Sequence, residues 1–323
     1  MDTLSRGSTN SEHEAVGSSG MSSAVANGSK SKQTRFSRRQ FELLEFIYSY
    51  RFVTTKQVQR FLGKPQIQQA QQRLNTLFAK EYIGRRYSSE DKLLGRYASY
   101  FLLPAGLELL KGYGDKKALR LMKKDPTASW RFVEHCIAIG DVAADVTRIY
   151  KDLFDRLTFE TKTDMLKSAS SMYDGSDDFE FVTDYYPKPL PDGFLDGWPA
   201  DPKQQIANCF VEVWHDNVPF WVYRKRIQYF IEYADEDIWK DYFGSDSPPI
   251  LLVCDSLTLQ RRVQRYLRRM YDSLSDDYPF LVTNRQLLAQ ADSDGAIWTR
   301  VDDETTETIR LSGVPDGYIE RRR

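Results

Sequence analysis

The 323-residue chain is predicted to be an α/β and α+β protein of two domains, a small N-terminal unit of helices and one hairpin followed by an α/β domain with a mixed sheet. Three observations predict this. Between Arg35 and Leu110 the apolar pattern changes period repeatedly, giving helix, helix, helix, hairpin and helix in that order. From about residue 130 onward, helix-like and strand-like runs alternate. Charge divides at the same place: residues 1–125 hold 22 Lys and Arg against 11 Asp and Glu, and residues 126–323 hold 23 against 35, so the net charge of −1 conceals a basic half and an acidic half.

Residues 1–34 are rich in Ser, Gly, Asn and Ala, with too few large apolar side chains to offset the entropy of ordering, and are expected to be a disordered tail. The first helix starts after Ser37, a residue able to cap free amides, and places Phe41, Leu44, Ile47 and Tyr48 on one face. Thr54 or Thr55 caps the second, whose Val58, Phe61 and Leu62 point inward and which Gly63 ends. Pro65 opens the third, with Ile67, Ala70, Leu74, Leu77 and Phe78 as its apolar stripe. Its other face carries Gln66, Gln68, Gln69, Gln72, Arg73 and Asn75, side chains that offer paired donors and acceptors to base edges in a major groove. A solvated helix face has the same composition, so context decides. Two β-rich runs around a polar turn follow, with Arg85, Arg86, Lys92 and Arg96, and then a short helix opened by Pro104.

This order resembles a winged helix-turn-helix over residues 35–111, in which the third helix reads bases while the hairpin, with Arg38, Arg39 and Lys56, grips phosphates. A basic unit of this kind attracts duplex DNA by counterion release, and residues 35–111 are expected to bind it on their own. Double-stranded DNA is thus the expected partner.

Residues 112–129 read as a polar linker, residues 130–303 as the α/β domain and residues 304–323 as a C-terminal extension. A long helix from Ser129 turns Phe132, Val133, Cys136, Ile139, Val142, Ala143, Val146 and Ile149 inward. A strand at 156–166, an acidic loop, strands at 190–196 and 208–216, a helix from Pro219, an apolar strand at 248–256, a helix from Leu257 and a last strand near 279–284 complete it. The helix bearing Arg261, Arg262, Arg265, Arg268 and Arg269 is the basic feature of this half, readable as a contact for DNA flanks or a partner, or as a solvated face above Val263, Tyr266, Leu267 and Met270. Cys136, Cys209 and Cys254 are too few and too scattered for a disulfide framework or thiolate zinc site. His13, His135 and His215 are equally dispersed, and His135 reads as a packed or cap-bonded residue. There is no Gly-rich phosphate loop, nucleophile elbow or paired-His metal motif. No apolar run is long enough for a signal peptide or membrane span, so a soluble, cytoplasmic protein is expected.

Within the α/β half, Pro191-Asp192 entering one strand and Glu212 in the next, followed by helix, strand and helix, resemble the PD-(D/E)xK restriction-endonuclease-like fold. Together with RFVTTKQVQRFLG, QQRLNTLFAKEYI, the YFLLPAGLELL ending, LPDGFLD, FVEVWHD and KRIQYFIEY, the layout resembles the replication-relaxation family of plasmid and mobile-element proteins over residues 36–283. The resemblance implies DNA binding at a replication origin or transfer nick site, assisting a relaxase or replication initiator, with the second domain a docking or homodimerisation platform. A nuclease of the fold holds a divalent metal on two carboxylates, here Asp192 and Glu212, and uses a Lys two residues past the second. That position is Trp214. Lys225, or another base on the following helix, could substitute in a metal-dependent nickase, with Mg²⁺ as its cofactor. Otherwise the fold is kept without catalysis, and no cofactor is expected. A winged-helix transcriptional repressor is a further alternative.

Overall fold

The computed structural model describes residues 36–64, 66–171, 184–199, 208–271, 278, 280–293, 295–301 and 308–311. The expected tail, and Pro65 at the expected start of the third helix, lie outside them. The first helix, α1 (Arg38–Tyr50), begins with a reciprocal capping box. Ser37 Oγ accepts the Gln40 amide, the Gln40 side chain accepts the Ser37 amide, and Leu43, Leu44, Ile47 and Tyr48 are buried. Strand β1 (Val53–Thr54) leads into α2 (Thr55–Phe61) through a second such box, between Thr54 and Gln57. Gly63 leaves α2 with φ of 59°, a left-handed turn that glycine adopts without strain. Helix α3 runs Ile67–Ala79 from an N-cap at Gln66 and buries Ala70, Leu74 and Leu77. Ile67 and Phe78, at the two ends of the expected stripe, remain 42% and 41% exposed.

Strands β2 (Ile83–Arg86) and β3 (Ser99–Leu102) pair antiparallel, and β1 joins the far edge of β3 to give the order β1-β3-β2. A short helix, α4 (Ser89–Leu93), occupies the connection between β2 and β3, capped by Ser88 and Asp91. Helix α5 (Pro104–Leu109) follows with proline in its first turn.

The stretch read as a linker is structured. Asp115 Oδ1 accepts the Ala118 amide at 2.7 Å and starts α6 (Lys116–Met122), while the Asp115 amide donates to the Tyr48 hydroxyl at 2.8 Å. Buried Asp125 then pairs with Arg51. Helix α7 (Trp130–Tyr150) packs Val133 and Cys136 against Phe52 and Phe101, so one small core belongs jointly to both halves. This shared core joins the N-terminal helices and hairpin to the α/β half. The physical reason is that α1–α3 leave Phe52 and Phe101 uncovered, and α7 covers them. An excised 35–111 fragment would expose that surface.

The second sheet has seven strands in the order β10-β9-β8-β7-β6-β5-β4. These are β4 (Phe154–Thr161), β5 (Gly193–Pro199), β6 (Asn208–Trp214), β7 (Ile250–Cys254), β8 (Phe280–Asn284), β9 (Trp298–Arg300) and β10 (Thr308–Ile309). The pairs β6-β7 and β7-β8 are parallel and the remainder antiparallel, so the sheet is mixed as expected. Alternation assigns the faces. Val211, Val213, Leu251, Val253 and Leu281 pack on α7, whereas Phe210, Trp214, Leu252, Cys254, Phe280 and Val282 pack under α9 (Phe220–Asp235) and α11 (Leu257–Tyr271). Two further short helices, α10 (Ile238–Phe243) and α12 (Arg285–Gln290), connect strands.

Two boundaries differ from the sequence reading. The strand expected to reach residue 166 stops at Thr161, because the Asp164 side chain accepts the Thr161 amide at 3.0 Å and turns the chain into α8 (Lys162–Ser171). Beyond residue 303, β10 pairs with β9, so the sheet continues into the expected C-terminal extension.

Candidate functional site

Asp192 lies immediately before β5 and is 3% exposed. The residue after it is glycine, and a Cβ on Gly193 would lie 2.2 Å from the Phe159 ring of the paired strand and force that ring to move. Asp192 Oδ2 accepts the Val213 amide at 2.9 Å, and Oδ1 accepts Lys162 Nζ at 2.7 Å and His135 Nε2 at 3.0 Å. Lys162 is the first residue of α8 and His135 comes from the second turn of α7, so three separate elements converge on one carboxylate.

Glu212 stands in the middle of β6, also buried. Arg226 of α9 donates to its Oε1 twice, from Nε at 3.0 Å and Nη2 at 2.5 Å, and donates its third nitrogen to the Pro189 carbonyl. The same guanidinium lies 4.4 Å over the Phe230 ring. Trp214, at the position where the nuclease fold has a lysine, donates its indole N–H to Glu212 Oε2 at 3.3 Å and stacks on Tyr223 with ring centres 4.3 Å apart. Lys225 does not reach the pair. It is exposed, with its ammonium 5.4 Å from the Tyr229 ring centre, and its neighbour Arg226 is the α9 cation that faces Glu212.

The histidines that look dispersed in sequence are joined. His135 Nδ1 lies 3.0 Å from His215 Nε2, and His215 Nδ1 lies 3.0 Å from Asp255 Oδ2. A carboxylate faces one ring nitrogen of each imidazole and accepts an N–H there. Burial opposes a charged His135, but Asp192 outweighs it and raises the imidazole pKa above its ordinary value. Desolvation likewise opposes the Lys162 ammonium, and Asp192 with Glu212 more than reverses it. Against its own burial, Asp192 is held well below the usual carboxylate range by Lys162 and His135. Asp255 is also lowered against burial, by His215 and by Arg285, whose Nη1 is 3.1 Å from Asp255 Oδ1. Arg285 reaches Asp141 at 3.7 Å, and Asp141 accepts Arg60 of α2 at 2.5 Å. A continuous polar chain thus runs from Lys162 to the N-terminal helices. A cavity of about 410 Å³ lies over Asp192, Glu212, His135 and Lys162.

These residues do not fit a divalent metal. Each oxygen of Asp192 and Glu212 already accepts a donor, and the charged donors are an ammonium and a guanidinium. Among the described residues no group of three or more His, Cys, Asp or Glu is arranged to hold a metal ion. The site can position protons and maintain charge balance inside the sheet.

The expected DNA-facing residues separate into distinct groups. Gln69, Gln72 and Arg73 of α3 share a polar groove of about 590 Å³ with Arg39 and Gln40 of α1. Gln66, Gln68 and Asn75 are exposed on the same helix. Arg38 is exposed and pairs with Glu42. Arg85 is exposed, 5.2 Å from the Phe78 ring centre, and Lys92 is exposed on α4. Arg86 and Arg96 are turned inward instead: Arg86 donates to the Ala128 carbonyl, and Arg96 reaches Asp91 at 3.3 Å with its guanidinium 4.6 Å over Trp130. Lys56 lines a different cleft, with Arg60, Asp141 and Arg285.

Sequence reasoning missed Lys162, His135, His215, Arg226 and Asp255 as members of one site. A usable signal existed for two of them: His215 and Asp255 each follow an apolar strand, and neighbouring parallel strands bring their C-terminal ends together. No curated protein and no solved structure matches the chain. No helix among the described residues is long and apolar enough to cross a membrane. The family model described as replication-relaxation matches residues 44–242, from α1 through α10. That span is more than half of the chain, takes in both Asp192 and Glu212, and establishes that the protein belongs to the replication-relaxation family.

Proposed function

We propose that the protein is a sequence-specific duplex-DNA-binding factor of a plasmid or mobile element, acting at an origin or transfer nick site and assisting replication or relaxation without cutting DNA itself. The N-terminal unit serves as a winged helix, with α3 in the major groove and the β2–β3 connection over the backbone. The observation that carries this reading is the two-sided character of α3. Ala70, Leu74 and Leu77 are buried, while Gln66, Gln68, Gln72 and Asn75 are exposed and Gln69 and Arg73 open into the groove beside Arg39. Amide and guanidinium groups on one face supply bidentate contacts to purine edges, and exposed Arg38, Arg39, Arg85 and Lys92 supply phosphate contacts.

The saturated Asp192 and Glu212 support an architectural part for the large sheet, as a platform for a relaxase, a replication initiator or a second copy of the chain. The test is to incubate the full chain with fragments of its own replicon and sequence what it retains. One origin or nick-site fragment is expected. Retention of promoters would favour a repressor, and indifference to sequence would overturn the reading. Loss of binding with salt should be steep, by about 0.9 in log–log slope per phosphate contact.

A further inference from the structure

The acidic half contains a cleft with the opposite character. Helices α9 and α11 lie side by side on one face of the sheet, and between them is a cavity of about 550 Å³ whose lining is four arginines and three aromatic residues. Arg262, Arg265 and Arg269 fall at i, i+3 and i+7 of α11, a single stripe opposite buried Leu259, Val263 and Leu267. Arg224 faces them from α9. The Arg262 guanidinium lies 4.3 Å over the Phe220 ring, and Trp221 stands at the rim, 60% exposed.

Among the described residues, none of these four arginines has a carboxylate within ion-pair distance, although Asp and Glu outnumber Lys and Arg in this half of the chain. Four guanidiniums facing one space repel each other, an arrangement that an anion relieves. Their planar forks match phosphate oxygens, and their flat faces stack on bases. The exposed indole adds what a simple polyanion does not require, a platform for an unpaired base. Paired bases in a duplex keep their faces covered.

We infer that the α9–α11 cleft is a second nucleic-acid site, for single-stranded DNA, with Arg224, Arg262, Arg265 and Arg269 on the phosphodiester backbone and Trp221 stacked on a base. Helix α11 lies beyond the matched family span, and the site is independent of the winged-helix reading.

The experiment uses the full chain and fluorescence anisotropy with a labelled 20-nucleotide oligothymidylate, beside a duplex of equal length. Arg265→Ala with Arg269→Ala should weaken single-strand binding at least tenfold and flatten its salt dependence by about 0.7 per lost phosphate contact, while duplex binding stays within twofold. Trp221→Ala should weaken it by about tenfold, and Trp221→Phe should recover most of that loss. Single-strand affinity unchanged in the double Arg variant overturns the site. Arginine dependence with no effect of Trp221→Ala overturns the single-strand assignment in favour of a general polyanion cleft. Failure of duplex binding in the parent protein, with single-strand binding intact, overturns the winged-helix reading and leaves this one standing.

Discussion

Replacing Arg226 of α9 with Met should destabilise the large sheet strongly. The side chains of Arg226 and Glu212 are 10% and 7% exposed, so the substitution leaves a buried carboxylate with only the Trp214 indole as side-chain donor. Removing one partner of a buried ion pair costs about 3–5 kcal/mol, most of it the uncompensated charge that remains. The Pro189 carbonyl also loses its donor, and the contact over Phe230 is weakened, which places the estimate at about 4 kcal/mol. Glu212→Gln in the same background removes the stranded charge and should restore about 2 kcal/mol. The assay is equilibrium urea unfolding of the parent, both single variants and the double variant at one pH, read as a double-mutant cycle. A loss below about 1 kcal/mol for Arg226→Met, or strict additivity in the cycle, would refute the reasoning that the pair is a sealed charge contact.

Further outcomes are expected. Gln72→Ala or Arg73→Ala should cost about 1–3 kcal/mol on a selected DNA site and little on random DNA, measured by competition binding. Arg85→Ala should flatten the salt slope, whereas Arg86→Ala should leave the slope alone and lower the melting temperature, because Arg86 holds the Ala128 carbonyl. By NMR, His135 should titrate above about 6.5; its raised folded-state pKa makes its contribution to stability complete below that value and lost as pH rises through the folded pKa. Asp192→Asn should bring that titration down. With Mg²⁺ or Mn²⁺ the purified protein should leave supercoiled plasmid intact on agarose gels, and nicking abolished by Asp192→Ala would restore the nuclease reading.

The elements with strong periodicity were legible in the sequence: α1, α3, α7, α9 and α11, the strand that follows Asp192, the strand carrying Glu212, and the mixed sheet. What escaped was set by short local chemistry or by topology. The start of α8 depends on the Thr161–Asp164 cap, three residues apart inside a run that also alternates like a strand, and missing it hid Lys162. The α9 cation that pairs with Glu212 is Arg226, next to the Lys225 singled out in the sequence. Lys225 and Arg226 differ by about 100° around a helix, and the neighbouring Ile227 and Phe230 mark Arg226 as the inward one. His135 and His215 are 80 positions apart, and only the packing of α7 against the end of β6 brings them together.

The core shared by Phe52, Phe101, Val133 and Cys136 has a geometric consequence for the proposed docking of α3 on DNA. With α6 in the stretch read as a polar linker and α7 packed on the shared core, the orientation of the sheet around the duplex axis would be set by the groove. Anything the sheet carries is then presented at one azimuth. Inserting five base pairs between the bound site and the point of action turns that presentation by about half a helical turn, and inserting ten restores it. Helical phasing of this kind distinguishes a rigid bracket from a tether.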